Sequence, residues 1–312
     1  MNKISPLFLF LILFFSACRN QQPSTSQNED FYLQYIDSYG REIVLTQKPE
    51  RVVSLSPAIT EMIFAMGCED KLVGITDYCT YPPETESIPK VGGIQNFNIE
   101  SVVLLHPDVV LISSIVAKSD VEKLTSLQIP VIAVKEEENI EGILNTFTFL
   151  GKLFDKQPLA DSLTKQLKEK LNLLQKEEDN GKKISVYYVV GFGEAGDYTA
   201  PKNSHIHEII TKAGGRNIGE NLTGWNVSRE FLFQEDPDII FVRSENLTQF
   251  ITLYPYNELT AVKKGNVYPI ESGWIDIVSP RNIAAIEKMN EVIKKERNRQ
   301  SCGLFSRLFS EL

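Results

Sequence analysis

The sequence predicts an α/β protein: two Rossmann-like βα lobes with parallel sheets, joined by a single long helix. Three observations point there. One phrase occurs twice, 130 residues apart: Asn98-Ile-Glu100 followed by Pro107-Asp108 and Val-Val-Leu-Ile, and Ser228-Arg-Glu230 followed by Pro237-Asp238 and Ile-Ile-Phe-Val. Short aliphatic runs alternate with helical patterns around both copies, the signature of a parallel sheet. Between the copies, Leu159, Leu163, Leu167, Leu171 and Leu174 recur at steps of four or three among Lys, Gln and Glu, which predicts one amphipathic helix.

The elements follow in order. Residues 1–17 read as a secretory signal: Lys3 is basic, Pro6 to Phe15 is an apolar run too short for a bilayer, and Ser16-Ala17 are small. Cys18 follows in a Phe-Ser-Ala-Cys context that looks like a lipoprotein lipidation site. Residues 18–30 are polar and read as a lipid-anchored flexible tether. The N-terminal lobe, 31–157, carries a strand at Arg51 to Ser54 and a helix from Thr60 closed by Gly67. A second strand lies at Leu72 to Ile75, the repeated phrase follows, and a last strand lies at Pro130 to Val134.

The connecting helix spans 158–180. Pro158 suits its first turn, Asn180-Gly181 ends it, and its length is roughly 30 Å at 1.5 Å per residue. The scheme then restarts in the C-terminal lobe, 181–298. A strand from Lys183 to Val190 leads to a glycine-rich loop and a helix from Ser204 to Ala213 closed by Gly214-Gly215. The second phrase, a strand at Val267 to Ile270 and a helix from Pro280 to Arg297 complete the lobe. In the tail, 299–312, Leu304, Phe305, Leu308, Phe309 and Leu312 form an apolar stripe at helical spacing, facing either its own lobe or a membrane surface.

At 312 residues with 42% apolar composition, the chain has enough for two cores. Its net charge is −9, which argues against nucleic acid as a partner. Cys68 and Cys79 are expected as free thiols, because the strand between them separates them beyond the roughly 7 Å reach of a disulfide. Gly191-Phe-Gly193-Glu-Ala-Gly196 matches a dinucleotide fingerprint by letter, but Asp197 to Pro201 continues as loop where the fingerprint needs a helix. His205 and His207 diverge at i, i+2 and His106 stands apart, so no metal site is expected. With no Gly-x-Ser-x-Gly elbow and three histidines, no catalytic residues and no enzyme are expected.

Both tryptophans follow glycine on irregular stretches, in Gly224-Trp225 and Gly273-Trp274, and Tyr78 and Tyr81 occupy the analogous loop of the first half. Aromatics on strand-end loops commonly line a ligand cleft. Phe192 and Tyr198, in the glycine-rich loop, join the candidate set with Phe97 and Asp276. Glu100 and Glu230 sit at the second position of matching helices. A first-turn carboxylate favours the helix dipole, but repetition at one spacing adds a docking role on a symmetric partner.

These residues resemble the substrate-binding proteins of bacterial ABC importers for vitamin B12 and iron siderophores. The likeness covers nearly all of residues 45 to 298 and is closest to the vitamin B12-binding members. It rests on Arg51-Val-Val-Ser-Leu-Ser-Pro-Ala-Ile-Thr-Glu61, Asp77-Tyr-Cys-Thr-Tyr-Pro-Pro83, Asn98-Ile-Glu100, Val227-Ser-Arg-Glu230 and Trp274-Ile-Asp-Ile-Val-Ser-Pro-Arg281. The resemblance implies that Glu100 and Glu230 dock on arginines of a dimeric ABC permease with its ATPase. It also implies that Tyr78, Trp225 and Trp274 pack on a corrinoid. Where the vitamin B12 branch carries a tryptophan four residues before the first Asn, this chain has Ile94, which thins one stacking wall.

The implied protein is a monomeric, lipid-anchored receptor of the cell envelope or periplasm. It has no resident cofactor, and its cargo is cobalamin or a ferric chelate. A ferric siderophore or haem is the near alternative, with Arg229, Arg243 and Arg281 as candidate partners for an anion. A scaffold lipoprotein without a ligand is the alternative of another class. One stiff connecting helix implies small hinge motion and a preformed cleft.

Overall fold

The computed structural model describes residues 31–135, 139–176 and 183–310. The signal peptide, Cys18, the tether and the side chains of the tail stripe lie outside the described residues. The described chain opens with an antiparallel hairpin, β1 (Leu33–Ile36) and β2 (Glu42–Leu45). Asp37 closes its turn, accepting the amides of Tyr39 (3.0 Å) and Arg41 (2.9 Å) together with the Arg41 guanidinium. Sequence reading placed no strand there, since runs of four residues with exposed Ile36 and Val44 carry little periodicity.

The first sheet follows from β3 (Val52–Ser54), α1 (Pro57–Ala65), β4 (Leu72–Ile75), α2 (Ile99–Leu104), β5 (Val109–Ile112), α3 (Lys118–Ser126) and β6 (Val131–Ala133). Its order is β4-β3-β5-β6, and every pair is parallel. All four residues of β5 are buried, as expected for a strand covered on both faces. Then come α4 (Ile140–Leu153) and α5 (Gln157–Lys176), the expected connecting helix. Gly151 lets α4 and α5 touch, because a Cβ there would lie 2.7 Å from that of Ala160.

The second half contains β7 (Ser185–Val189), β8 (Asp197–Tyr198), α6 (His205–Lys212), β9 (Arg216–Asn217), β10 (Asn226–Val227), α7 (Arg229–Glu235), β11 (Ile239–Arg243), α8 (Leu247–Thr252), α9 (Thr260–Lys263), β12 (Val267–Ile270), α10 (Ser272–Ile275) and α11 (Asn282–Ser310). The sheet order is β12-β11-β7-β9, again parallel throughout. The fold is therefore α/β with two parallel sheets, as the sequence predicts. The final helix runs on to Ser310 instead of stopping near Arg297, because no proline interrupts it. Cys68 and Cys79 are free and buried.

The repeated phrase is repeated in three dimensions. Asn98 caps α2 by accepting the Ser101 amide at 2.7 Å, and Ser228 caps α7 by accepting the Phe231 amide at 3.1 Å. Eight residues after each cap the backbone turns left-handed, at His106 (φ 46°) and Asp236 (φ 36°). The following Pro-Asp dipeptides bracket neighbouring strands. Asp108 accepts the amides of Glu50 and Arg51 at 2.8 and 2.9 Å, and Asp238 accepts the amide and hydroxyl of Ser185 at 2.9 and 2.7 Å.

Among the described residues, three apolar clusters hold the elements. One lies on the outer face of the first sheet, around Val53, Val102, Val110 and Leu124. A second lies on the outer face of the other, around Tyr187, Leu232, Val242 and Phe250. The third is shared, running from Ile59 and Met62 of α1 through Phe147 and Leu150 of α4 to Ile209 of α6 and Ile286 and Met289 of α11. Two separate cores were expected. The observed inner core is continuous because α4, α5, α6 and α11 each carry apolar residues that face it.

Candidate ligand and docking site

In a parallel sheet, the loops leaving the C-terminal ends of the strands gather at one edge. Here they carry Tyr78 and Tyr81 after β4, the Gly191–Gly196 loop after β7, Arg243 at the end of β11, and Trp274 with Asp276 after β12. Tyr78 is 63% exposed, Tyr81 45% and Trp225 40%, large values for rings that would otherwise seek a core.

In the second half the structure brings three candidates onto one framework. The β8–β10 pairing sets Tyr198 opposite Asn226, and the Thr199 amide donates to the Trp225 carbonyl at 2.8 Å. Tyr198 covers the loop glycines, with its hydroxyl donating to the Ala195 carbonyl at 3.1 Å. Phe192 turns inward, edge-on to Phe250 and Tyr256 with centroids 5.2 and 5.7 Å apart. Trp274 sits in the single turn of α10, half-buried against the shared core. Phe97 is placed differently from the other rings: it is buried on the outer face of the first sheet, paired with Gly92, beside a groove it shares with Glu100.

Asp276 is not a free acceptor. Its carboxylate receives Arg243 Nε at 2.8 Å and Nη2 at 3.1 Å, and the Tyr188 hydroxyl at 3.2 Å. Burial, then the Asp276 charge, pushes the Tyr188 phenol well above its ordinary pKa, so it stays a neutral donor. Arg243 also donates to the Val190 carbonyl at 2.8 Å, which ties Asp276 to the base of the Gly191 loop.

Sequence reading missed the junction of the two halves. Arg281, just before α11, donates to Glu61 of α1, lies over the Tyr81 ring at 4.1 Å, and presses against Gly273, where a Cβ would come within 2.2 Å of Nη1. A cavity of about 460 Å³ opens there, lined by Glu61, Phe64, Tyr81, Glu84, Pro280 and Arg281. Tyr78, Phe192, Tyr198, Trp225 and Trp274 lie outside it. The repeated Ser-Pro of Ser56-Pro57 and Ser279-Pro280, each near a helix start, was the available signal for this contact.

Glu100 and Glu230 are both exposed at the second position of α2 and α7. A bond from its own backbone amide, then one from the Ser228 hydroxyl, holds the Glu230 carboxyl below its usual pKa, so it remains charged. Elsewhere, His205 Nε2 contacts the Ile275 carbonyl at 2.6 Å and His207 Nδ1 lies 3.2 Å from Asn217 Nδ2.

The model of the family described as periplasmic binding protein matches residues 52–272. This chain belongs to the periplasmic binding protein family. The chain is 27% identical over 289 residues to the ABC transporter substrate-binding lipoprotein YvrC of Bacillus subtilis, covering 89% of this chain and 90% of that one. It is 32% identical over 242 residues to the vitamin B12-binding protein of Salmonella typhimurium, covering 77% and 88%. The periplasmic haem-binding protein RhuT of Roseiflexus sp. RS-1 shares the fold at a TM-score of 0.70 and 19% identity, covering 79% of this chain and 98% of that one. This is a binding protein of the ABC importer type, and such proteins capture a ligand and deliver it to a permease. Among the described residues, no helix is long and apolar enough to cross a membrane.

Proposed function

We propose that the protein is a lipid-anchored receptor that captures a corrinoid between its two halves and hands it to a membrane permease. The observation that carries this reading is the pairing of three arginines. Arg229 bonds to Asp197, Arg243 to Asp276 and Arg281 to Glu61. A ferric siderophore of the catecholate or carboxylate kind is anionic and calls for cations free to meet it. Here these guanidiniums are each paired with a carboxylate of the same chain, two of those carboxylates buried, and the strand-end loops offer rings instead. Stacking of an extended, amphipathic ligand on Tyr78, Tyr198, Trp225 and Trp274 fits that surface. The relatives named for vitamin B12 and for a lipoprotein support the same reading, with Cys18 as the lipid attachment point.

A haem reading keeps one specific support. Tyr78 and Tyr81 expose phenols, and a tyrosine oxygen is an established ligand of haem iron. Titration of the purified protein with cyanocobalamin, haemin and a ferric hydroxamate separates the readings. Micromolar or tighter binding of cyanocobalamin, with quenching of tryptophan fluorescence, is expected. Neither heat nor quenching with cyanocobalamin, together with binding of haemin or the hydroxamate, would overturn the corrinoid assignment.

A further inference from the structure

The two copies of the repeated phrase differ between cap and glutamate: Ile99 in the first is Arg229 in the second. Ile99 packs half-buried on the outer cluster of the first sheet. Arg229 turns back from the first turn of α7 into a closed ring of hydrogen bonds. Its Nε donates to Asp197 Oδ2 at 3.1 Å and its Nη2 to the Gly193 carbonyl at 3.0 Å. The Gly193 amide donates to the Tyr256 hydroxyl at 2.9 Å, and that hydroxyl donates to Asp197 Oδ1. The guanidinium also lies 5.8 Å from the centroid of the Tyr256 ring. Asp197 is 4% exposed and Tyr256 is fully buried, so the ring is anchored in the core of its half. A carboxylate this buried is strongly destabilising when stripped of its partner, which makes the four groups act as a unit.

Its members connect two functional segments. Gly193 and Asp197 belong to the loop that carries Phe192 and Tyr198. Arg229 belongs to the segment running from Trp225 through β10 to the exposed Glu230. We propose that Arg229 is a positioning residue for permease docking: it fixes the first turn of α7 against the strand-end loop and thereby sets where Glu230 is presented. The proposal rests on the docking role of Glu230. It makes the two docking points unequal, since Glu100 follows an isoleucine held by apolar packing. By linkage, a ligand that shifts the Gly191–Tyr198 loop changes docking through Glu230 and not through Glu100.

The test is the affinity of the full, ligand-free protein for its permease–ATPase complex in lipid nanodiscs, with thermal unfolding measured alongside. Arg229→Gln and Tyr256→Phe are each expected to weaken docking about fivefold or more. The double variant should lose no more than the worse single one, because both cut the same ring, whereas Glu100→Gln should add to either. Unchanged docking, or losses that add in the double variant, overturns the proposal even if stability falls. Glu230→Gln separates the two levels. No loss there refutes the docking role itself, while a loss there with none in Arg229→Gln refutes only the positioning role. Should Arg229→Gln fail to fold, Arg229→Lys carries the same test: it keeps a charge beside Asp197 but lacks the fork that also reaches Gly193, and it should show the same docking loss.

Discussion

Glu61 and Arg281, 220 residues apart in sequence, form a forked ion pair where the two halves of the molecule meet, with Nε 2.9 Å from Oε2 and Nη2 bonded to Oε1. The Glu61 side chain is 5% exposed and that of Arg281 18%. The pair joins α1 to the start of α11 and positions Arg281 over Tyr81.

Removing one member should therefore be costly. Glu61→Gln leaves a largely buried guanidinium without its counter-charge, and the expected loss is about 3 kcal/mol. Urea unfolding at neutral pH reads this directly. A loss below about 1 kcal/mol would show that water or a neighbour replaces the carboxylate.

Charge reversal of both exposed glutamates should separate capture from delivery. The Glu100→Arg/Glu230→Arg variant is expected to bind ligand as the unmodified protein does and to support no uptake. Uptake at the unmodified rate in cells that depend on this receptor would remove the docking role.

Trp225 offers the largest exposed ring on the framework shared by β8 and β10. Trp225→Ala should weaken ligand binding about tenfold, equivalent to roughly 1.4 kcal/mol, without a change in thermal stability. An unaltered dissociation constant would place the ligand elsewhere.

Asp37 predicts an acid limb of stability. Burial raises its pKa, but the Arg41 guanidinium and the amides of Arg41 and Ala133 outweigh it, so the folded value lies below the ordinary 3.8. A depressed carboxyl contributes stability that is complete above the unfolded pKa and lost as pH falls through the folded one. Asp37→Asn should thus cost about 1 to 3 kcal/mol at pH 7, and the gap from the unmodified protein should shrink on acidification below about pH 4. An equal gap at pH 7 and pH 3 would contradict the sign.

Local chemistry was legible in the sequence, and distant pairing was not. Asn98 and Ser228, each followed two residues on by glutamate and later by Pro-Asp, carry their cap and strand signals within a dozen residues. The sheets they introduce could be read from them. The left-handed turns at His106 and Asp236 were missed because the chain spends no glycine on them. Pairings such as Arg229 with Asp197, Arg243 with Asp276 and Arg281 with Glu61 bridge 32, 33 and 220 residues. No periodicity encodes them, so these arginines read as available until the fold consumed them. The burial of Phe97, a candidate for the ligand site, was not legible because it depends on the outer face of a sheet assembled from remote strands.

The apolar cluster that passes through α4, α5, α6 and α11 makes the protein one cooperative unit with two sheets in it. A fragment cut after α4 would keep Phe147, Leu150, Leu153 and Phe154 but lose the share of their cluster that α5, α6 and α11 supply. The two halves repeat one phrase, yet both contribute to the same inner core, and melting should proceed as a single event.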